Sequence, residues 1–209
     1  MALSESSLIT AIRSLLNEAV SGFFSDTEIR SWIAQAAGDI SSKTLCYETT
    51  AGSLTLATDQ IEYAAPTGLL KPMAVTYKDK GLVRILPHQI GHLTHREAGP
   101  PEQYYFLANT IGLWPKPDVS IAAETVTVYG AVFTTTIADI PEWYEIPACW
   151  YGVVQGLLKD KRYAQAGQIY QMYLNSLSFG RQDLTDQAPD VRADFKQPDF
   201  NEILQPGKE

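Results

Sequence analysis

Ile140-Pro-Glu-Trp-Tyr-Glu-Ile146-Pro-Ala-Cys-Trp150-Tyr-Gly-Val-Val-Gln-Gly-Leu-Leu158 is the stretch in which a helical pattern returns after a long run of another kind. Proline is tolerated in a first helical turn, where its missing N–H would have no partner anyway, so Ile146-Pro147 reads as a helix start. Trp150, Val153, Val154, Leu157 and Leu158 then share one face at helical spacing. After Lys159-Asp-Lys-Arg162 a second helix carries Tyr163, Ala166, Ile169, Tyr170, Tyr173, Leu174 and Leu177, and its pattern ends near Gly180.

Helices also open the chain. Leu8, Ile12, Leu15, Leu16 and Ala19 form one stripe over residues 4–20. Gly22 and Phe23-Phe24 interrupt it. Ser25-Asp-Thr-Glu28 is a capping box, in which the serine hydroxyl accepts from the amide three residues on and the glutamate reaches back. The helix it opens presents Ile29, Trp32, Ile33, Ala36, Ala37 and Ile40.

Between these helical ends the period becomes two. Ser53-Leu-Thr-Leu-Ala, Gln60-Ile-Glu-Tyr-Ala, Met73-Ala-Val-Thr-Tyr-Lys and Leu82-Val-Arg-Ile-Leu read as strands. So do Tyr104–Ala108, Thr110–Trp114 and Glu124–Phe133, with Asn109 turning a hairpin. No stretch between them is long enough for a crossover helix, which predicts an antiparallel arrangement. The expected class is therefore α+β: a helical bundle built from both ends of the chain, with an antiparallel β-sheet module inserted. One domain over residues 1–180 is predicted, with helices at 4–46 and 141–180 and the insertion at 50–136. An extended tail follows at 181–209.

With 209 residues, 45% apolar and 19% charged, the chain has the composition of an ordinary globular protein. It contains no run near the roughly 20 apolar residues a membrane helix needs. Nothing at Met1-Ala-Leu-Ser resembles a signal peptide, so synthesis in the cytoplasm is expected. A net charge of -8 repels a phosphate backbone and argues against a sequence-reading nucleic-acid binder, though not against a surface past which DNA slides. Cys46 and Cys149 could pair, but buried free thiols are the expected state.

The search for chemistry is mostly negative. His88, His92 and His95 fall in one stretch, and the i, i+4 pair could chelate a metal from a helix face. A zinc-protease site needs glutamate after the first histidine as its base; Gln89 stands there instead. No phosphate loop and no nucleophile elbow occurs. Asp139 and Glu142 flank Pro141 where acids favour a helix start, and the basic run 159–162 suits a helix end. No catalytic residue, metal or cofactor is expected, and the protein is not predicted to be an enzyme.

The Phe24-Ser-Asp-Thr-Glu-Ile29 motif continuing to Trp32-Ile33 resembles phage head-to-tail adaptor proteins. So does the return at Ile140-Pro141, followed by Tyr151, Leu157-Leu-Lys-Asp160, Tyr163-Ala164 and Tyr170. Gly99-Pro-Pro-Glu-Gln-Tyr104 with Leu113-Trp-Pro115 is similar to the inserted sheet of the podovirus members called tail tubular protein A. The resemblance spans roughly residues 4–180. It implies a structural virion protein at the head–tail junction, in a homo-oligomeric ring of twelve-fold symmetry around the DNA channel. Its partners would be the portal protein and the tail tube or nozzle, with no sequence-specific nucleic acid and no membrane.

Two other functions compete: a tail-completion or baseplate subunit with the same plan, and a metal-dependent hydrolase built on His88, His92 and His95. The tail is too poor in apolar residues to fold alone. Phe195, Phe200, Ile203 and Leu204 are spaced along it as candidate partner-binding anchors. It is expected to be mobile in the free monomer and ordered in the junction.

Overall fold

The computed structural model describes residues 3–18, 22–86 and 98–186, with side chains through Leu177. Helices α1 (Glu5–Leu15) and α2 (Asp26–Thr44) open the chain. Helices α3 (Glu145–Lys159) and α4 (Tyr163–Asp186) close the described part. The strands between them are β1 (Glu48–Thr55), β2 (Glu62–Ala64), β3 (Leu69–Tyr77), β4 (Lys80–Gly81) and β5 (Val83–Arg84). Then come β6 (Gln103–Leu107), β7 (Thr110–Trp114) and β8 (Thr125–Val132).

The α+β plan is the predicted one. Leu8 and Ile12 of α1, the whole predicted stripe of α2, and Tyr173 and Leu177 of α4 form one helical core, joined by Ala148 and Cys149 of α3. The capping box forms as the sequence indicates: the Glu28 amide donates to Ser25 Oγ at 3.3 Å and the Ser25 amide to Glu28 Oε2 at 3.0 Å. Pro147 sits in the first turn of α3. Helix α1 lies close against α3 because glycines leave room. A Cβ at Gly152 would meet Ile12 Cδ1 at 2.4 Å, and one at Gly156 would meet Leu16 Cδ1 at 2.6 Å.

The insertion is two sheets, not one. Strands run in the order β1-β8-β3-β4 in the first and β2-β7-β6-β5 in the second. Both contribute to a single core that includes Leu54, Tyr63, Val75, Tyr104, Ile111 and Val128. The hairpin at Asn109 is present, with Ala108 and Asn109 at φ 46 and 69; Lys78 and Asp79 turn β3 into β4 at φ 47 and 63. Positive φ at both central residues gives a turn whose twist suits paired strands.

Several expectations are corrected. β5 pairs with β6 in parallel, Val83 against Gln103 and Arg84 against Tyr104. The chain between Arg84 and Gln103 is long enough for the crossover connection that a parallel pair requires. Helix α1 stops at Leu15, short of residue 20, and Leu15 itself is exposed. Leu158 faces solvent, because the α4 contacts that bury Val153 and Leu157 lie on another side of α3. Helix α4 passes Gly180 and continues to Asp186, and residues 187–209 lie outside the described residues.

Candidate functional site

A buried guanidinium locks the α1–α2 corner. Arg13 donates to the Phe24 carbonyl at 2.9 Å and pairs with Asp26 at 2.5 Å and with Glu18 at 3.6 Å. Glu18 Oε1 also accepts from the backbone amides of Gly22, Phe23 and Phe24. Burial pushes its carboxyl up, but these amides and Arg13 outweigh it and leave the group below the usual range.

The basic run between α3 and α4 fastens to this corner. Lys159 Nζ donates to the Phe23 carbonyl at 3.0 Å and to Glu28 Oε1 at 2.6 Å, and lies 4.8 Å from the Phe23 ring centre. Glu28, hydrogen-bonded by Lys159 and by Ser25, is held down at about 2. A protein contact thus accounts for Lys159. Asp139 accepts from Thr134 Oγ1 at 2.7 Å, in keeping with a structural role.

The free thiols are poor nucleophiles. Burial raises Cys46 and pushes Cys149 up to about 11, so both stay protonated at neutral pH. A second polar cluster joins Asp39, Tyr173 and Lys43. The Tyr173 hydroxyl donates to Asp39 Oδ2, and Lys43 Nζ donates to the same oxygen at 2.7 Å. Burial, then the neighbouring carboxylate, drives the Tyr173 hydroxyl far above its ordinary value. A phenol that keeps its proton and a carboxylate already paired do structural work. Among the described residues no group of three His, Cys, Asp or Glu side chains could hold a metal. His88, His92 and His95 lie outside the described residues, as do Phe195, Phe200, Ile203 and Leu204.

What the surface offers is apolar. Two grooves meet at Asp39 and Tyr151. One, of about 550 Å³, runs between α2 and Phe133. The other, of about 440 Å³, lies between α3 and α4 and is lined by Val154, Leu158, Tyr163, Ala166, Gly167 and Tyr170. The Tyr151 and Tyr173 rings meet edge to face at 5.5 Å. At the opposite end of α3, Trp143 and Ile146 are 65% and 62% exposed. Sequence reading assigned Leu158, Tyr163 and Tyr170 to packed helix faces. Their position beside the basic turn was the available sign that they border a surface.

Compared with models of protein families, residues 4–194 match the one described as SU10 adaptor protein. Among curated proteins none matches.

Proposed function

Because the chain belongs to the SU10 adaptor protein family, a family of structural phage adaptors, we propose that it forms a ring joining the portal to the tail of a bacteriophage. It is a virion component that works through contacts with other virion proteins. The observation that carries the proposal is the extent of the match, which takes in both helix pairs and the inserted sheets. The exposed apolar grooves supply surface for the contacts an adaptor needs. A net charge of -8 suits a channel wall that DNA passes without sticking.

In this reading the subunit is one adaptor domain followed by a strap. The ring has the portal's twelve-fold symmetry and sits at the head–tail junction, with the portal on one side and the tail tube or nozzle on the other. Phe195, Phe200, Ile203 and Leu204 anchor the strap to the portal or to a neighbouring subunit. Such a segment gains order only on a partner that covers its apolar groups. Deleting residues 187–209 should leave the melting temperature of the core unchanged while weakening attachment to the portal.

The test is electron microscopy of the protein mixed with its portal. A closed ring seated on the portal is expected. Failure to bind the portal, with binding to tail or baseplate components instead, would overturn the junction assignment.

A further inference from the structure

A ring, the reading on which this inference rests, needs two different surfaces on each subunit. A self-complementary patch closes as a dimer, whereas a head-to-tail contact continues to the next copy. The helical bundle carries such a pair at the two ends of α3. At its start Trp143 and Ile146 project into solvent. At its end Leu158, Tyr163 and Tyr170 border the groove against α4. Ile146 and Leu158 are separated by about 18 Å of helix at 1.5 Å per residue, so one subunit cannot bring its own projection to its own groove.

Charge follows the same division. Glu142 and Glu145 flank the projection, and both are exposed. Lys161 and Arg162, also exposed, immediately precede Tyr163 at the groove, and Arg162 Nε pairs with Asp160 of its own chain at 3.3 Å. The helix dipole accounts for acids at the start of α3 and bases at its end. It gives no reason for an exposed tryptophan beside the acids, nor for an apolar groove beside the bases. We propose that the α3–α4 groove receives Trp143 and Ile146 of a second copy of this chain, with Glu145 meeting Lys161.

An aromatic anchor seated in a pocket inside a charged rim is the usual anatomy of a binding hot spot. A tryptophan buries about 150–250 Å², well short of the roughly 800 Å² per partner of a stable interface. The contact therefore orients neighbours and is weak one pair at a time; closing the ring multiplies it.

Two variants of the full chain test it. Trp143→Ala removes the projection and leaves the groove. Gly167→Phe fills the groove and leaves the projection; a Cβ at Gly167 meets nothing within 4 Å, so the helix accommodates it. Association is read by sedimentation velocity and by chemical cross-linking at high protein concentration, with melting curves to confirm folding. The wild type should give a ladder of multimers, and each variant alone should associate about thirtyfold more weakly, as for an aromatic hot spot. Mixed together, the variants should form one-to-one heterodimers and stop, because each supplies the half the other lacks. Should Gly167→Phe misfold, Glu145→Lys and Lys161→Glu take its place: each alone should weaken association and the two charge reversals combined should restore it. Variants that associate like the wild type, a mixture without heterodimers, or a wild type that stays monomeric would each overturn the proposal. Closed wild-type rings that persist in both variants would refute this contact while leaving the ring itself standing. Absence of any wild-type ring, even with portal present, would refute the ring.

Discussion

Replacing Gly152 with alanine sets two known effects against each other at one atom. In a helix interior, alanine is favoured over glycine by about 1 kcal/mol. At this position the added Cβ would stand 2.4 Å from Ile12 Cδ1 and 3.0 Å from Cγ1, and Ile12 is fully buried. Overpacking of such a core costs about 1–3 kcal/mol. The clash should win, for a net loss of up to about 2 kcal/mol. Ile12→Val removes Cδ1 and alone should cost about 0.5–1.5 kcal/mol. In the Gly152→Ala background the same change should cost almost nothing, because it removes the nearer of the two atoms that the new methyl meets. The cycle should therefore show a favourable coupling of about 1 kcal/mol. Urea unfolding of the four proteins, analysed by linear extrapolation, measures it. If Gly152→Ala is stabilising by the full propensity gain, or if the two changes simply add, α1 and α3 do not approach as described.

Trp32→Ala should destabilise by about 3–5 kcal/mol and Leu157→Ala by about 2–5 kcal/mol in chemical denaturation, since both side chains are buried. A variant that unfolds with the wild type would show that its residue does not face a core. Glu28 titrates near 2 in the folded chain against 4.5 when free, so its lowered value stabilises fully above about pH 4.5 and the benefit fades as pH falls towards 2. Melting curves from pH 5 to 2 should lose that component in Glu28→Gln, and an unchanged pH profile would exclude the Lys159 contact. EDTA should leave the melting temperature unaltered; a drop reversed by zinc would reveal a structural metal. Duplex DNA should bind no tighter than about 10⁻⁷ M at physiological salt, and an affinity in the 10⁻⁸–10⁻¹¹ M range of specific binders would contradict the electrostatic reading.

Local signals in the sequence carried over to the structure almost unchanged. The capping box of Ser25 and Glu28 and the turn at Asn109 each depend on a few neighbouring residues, and each is where the pattern put it. Contacts between distant residues did not show. Lys159 reaches Phe23 and Glu28 from the far end of the chain, and its basic neighbours gave no sign of that contact. Periodicity located the strands but left their order open, so two sheets were read as one and the parallel β5–β6 pair as antiparallel. Gly180 looked like a stop; α4 runs through it because glycine lowers helix propensity without forbidding the conformation. The α3–α4 groove escaped notice for a related reason. Leu158, Tyr163 and Tyr170 obey the spacing of a buried face, and only the packing of α4 decides which side of that face stays open.

The two chain segments that connect bundle and sheets run side by side. Ser41 Oγ donates to the Thr134 carbonyl and accepts from the Thr134 amide, both at 3.3 Å, and the Val132 amide donates to the Tyr47 carbonyl at 2.9 Å. Seen from the helices, the whole sandwich is a single closed loop whose ends are already stapled together. Closure entropy grows only with the logarithm of loop length, by about 0.6 kcal/mol per doubling. The helices are therefore nearly indifferent to how large that loop is or what it contains. Over evolutionary time such a joint lets the β cassette lengthen, shrink or be exchanged to fit a changing neighbour, while the four helices keep their packing.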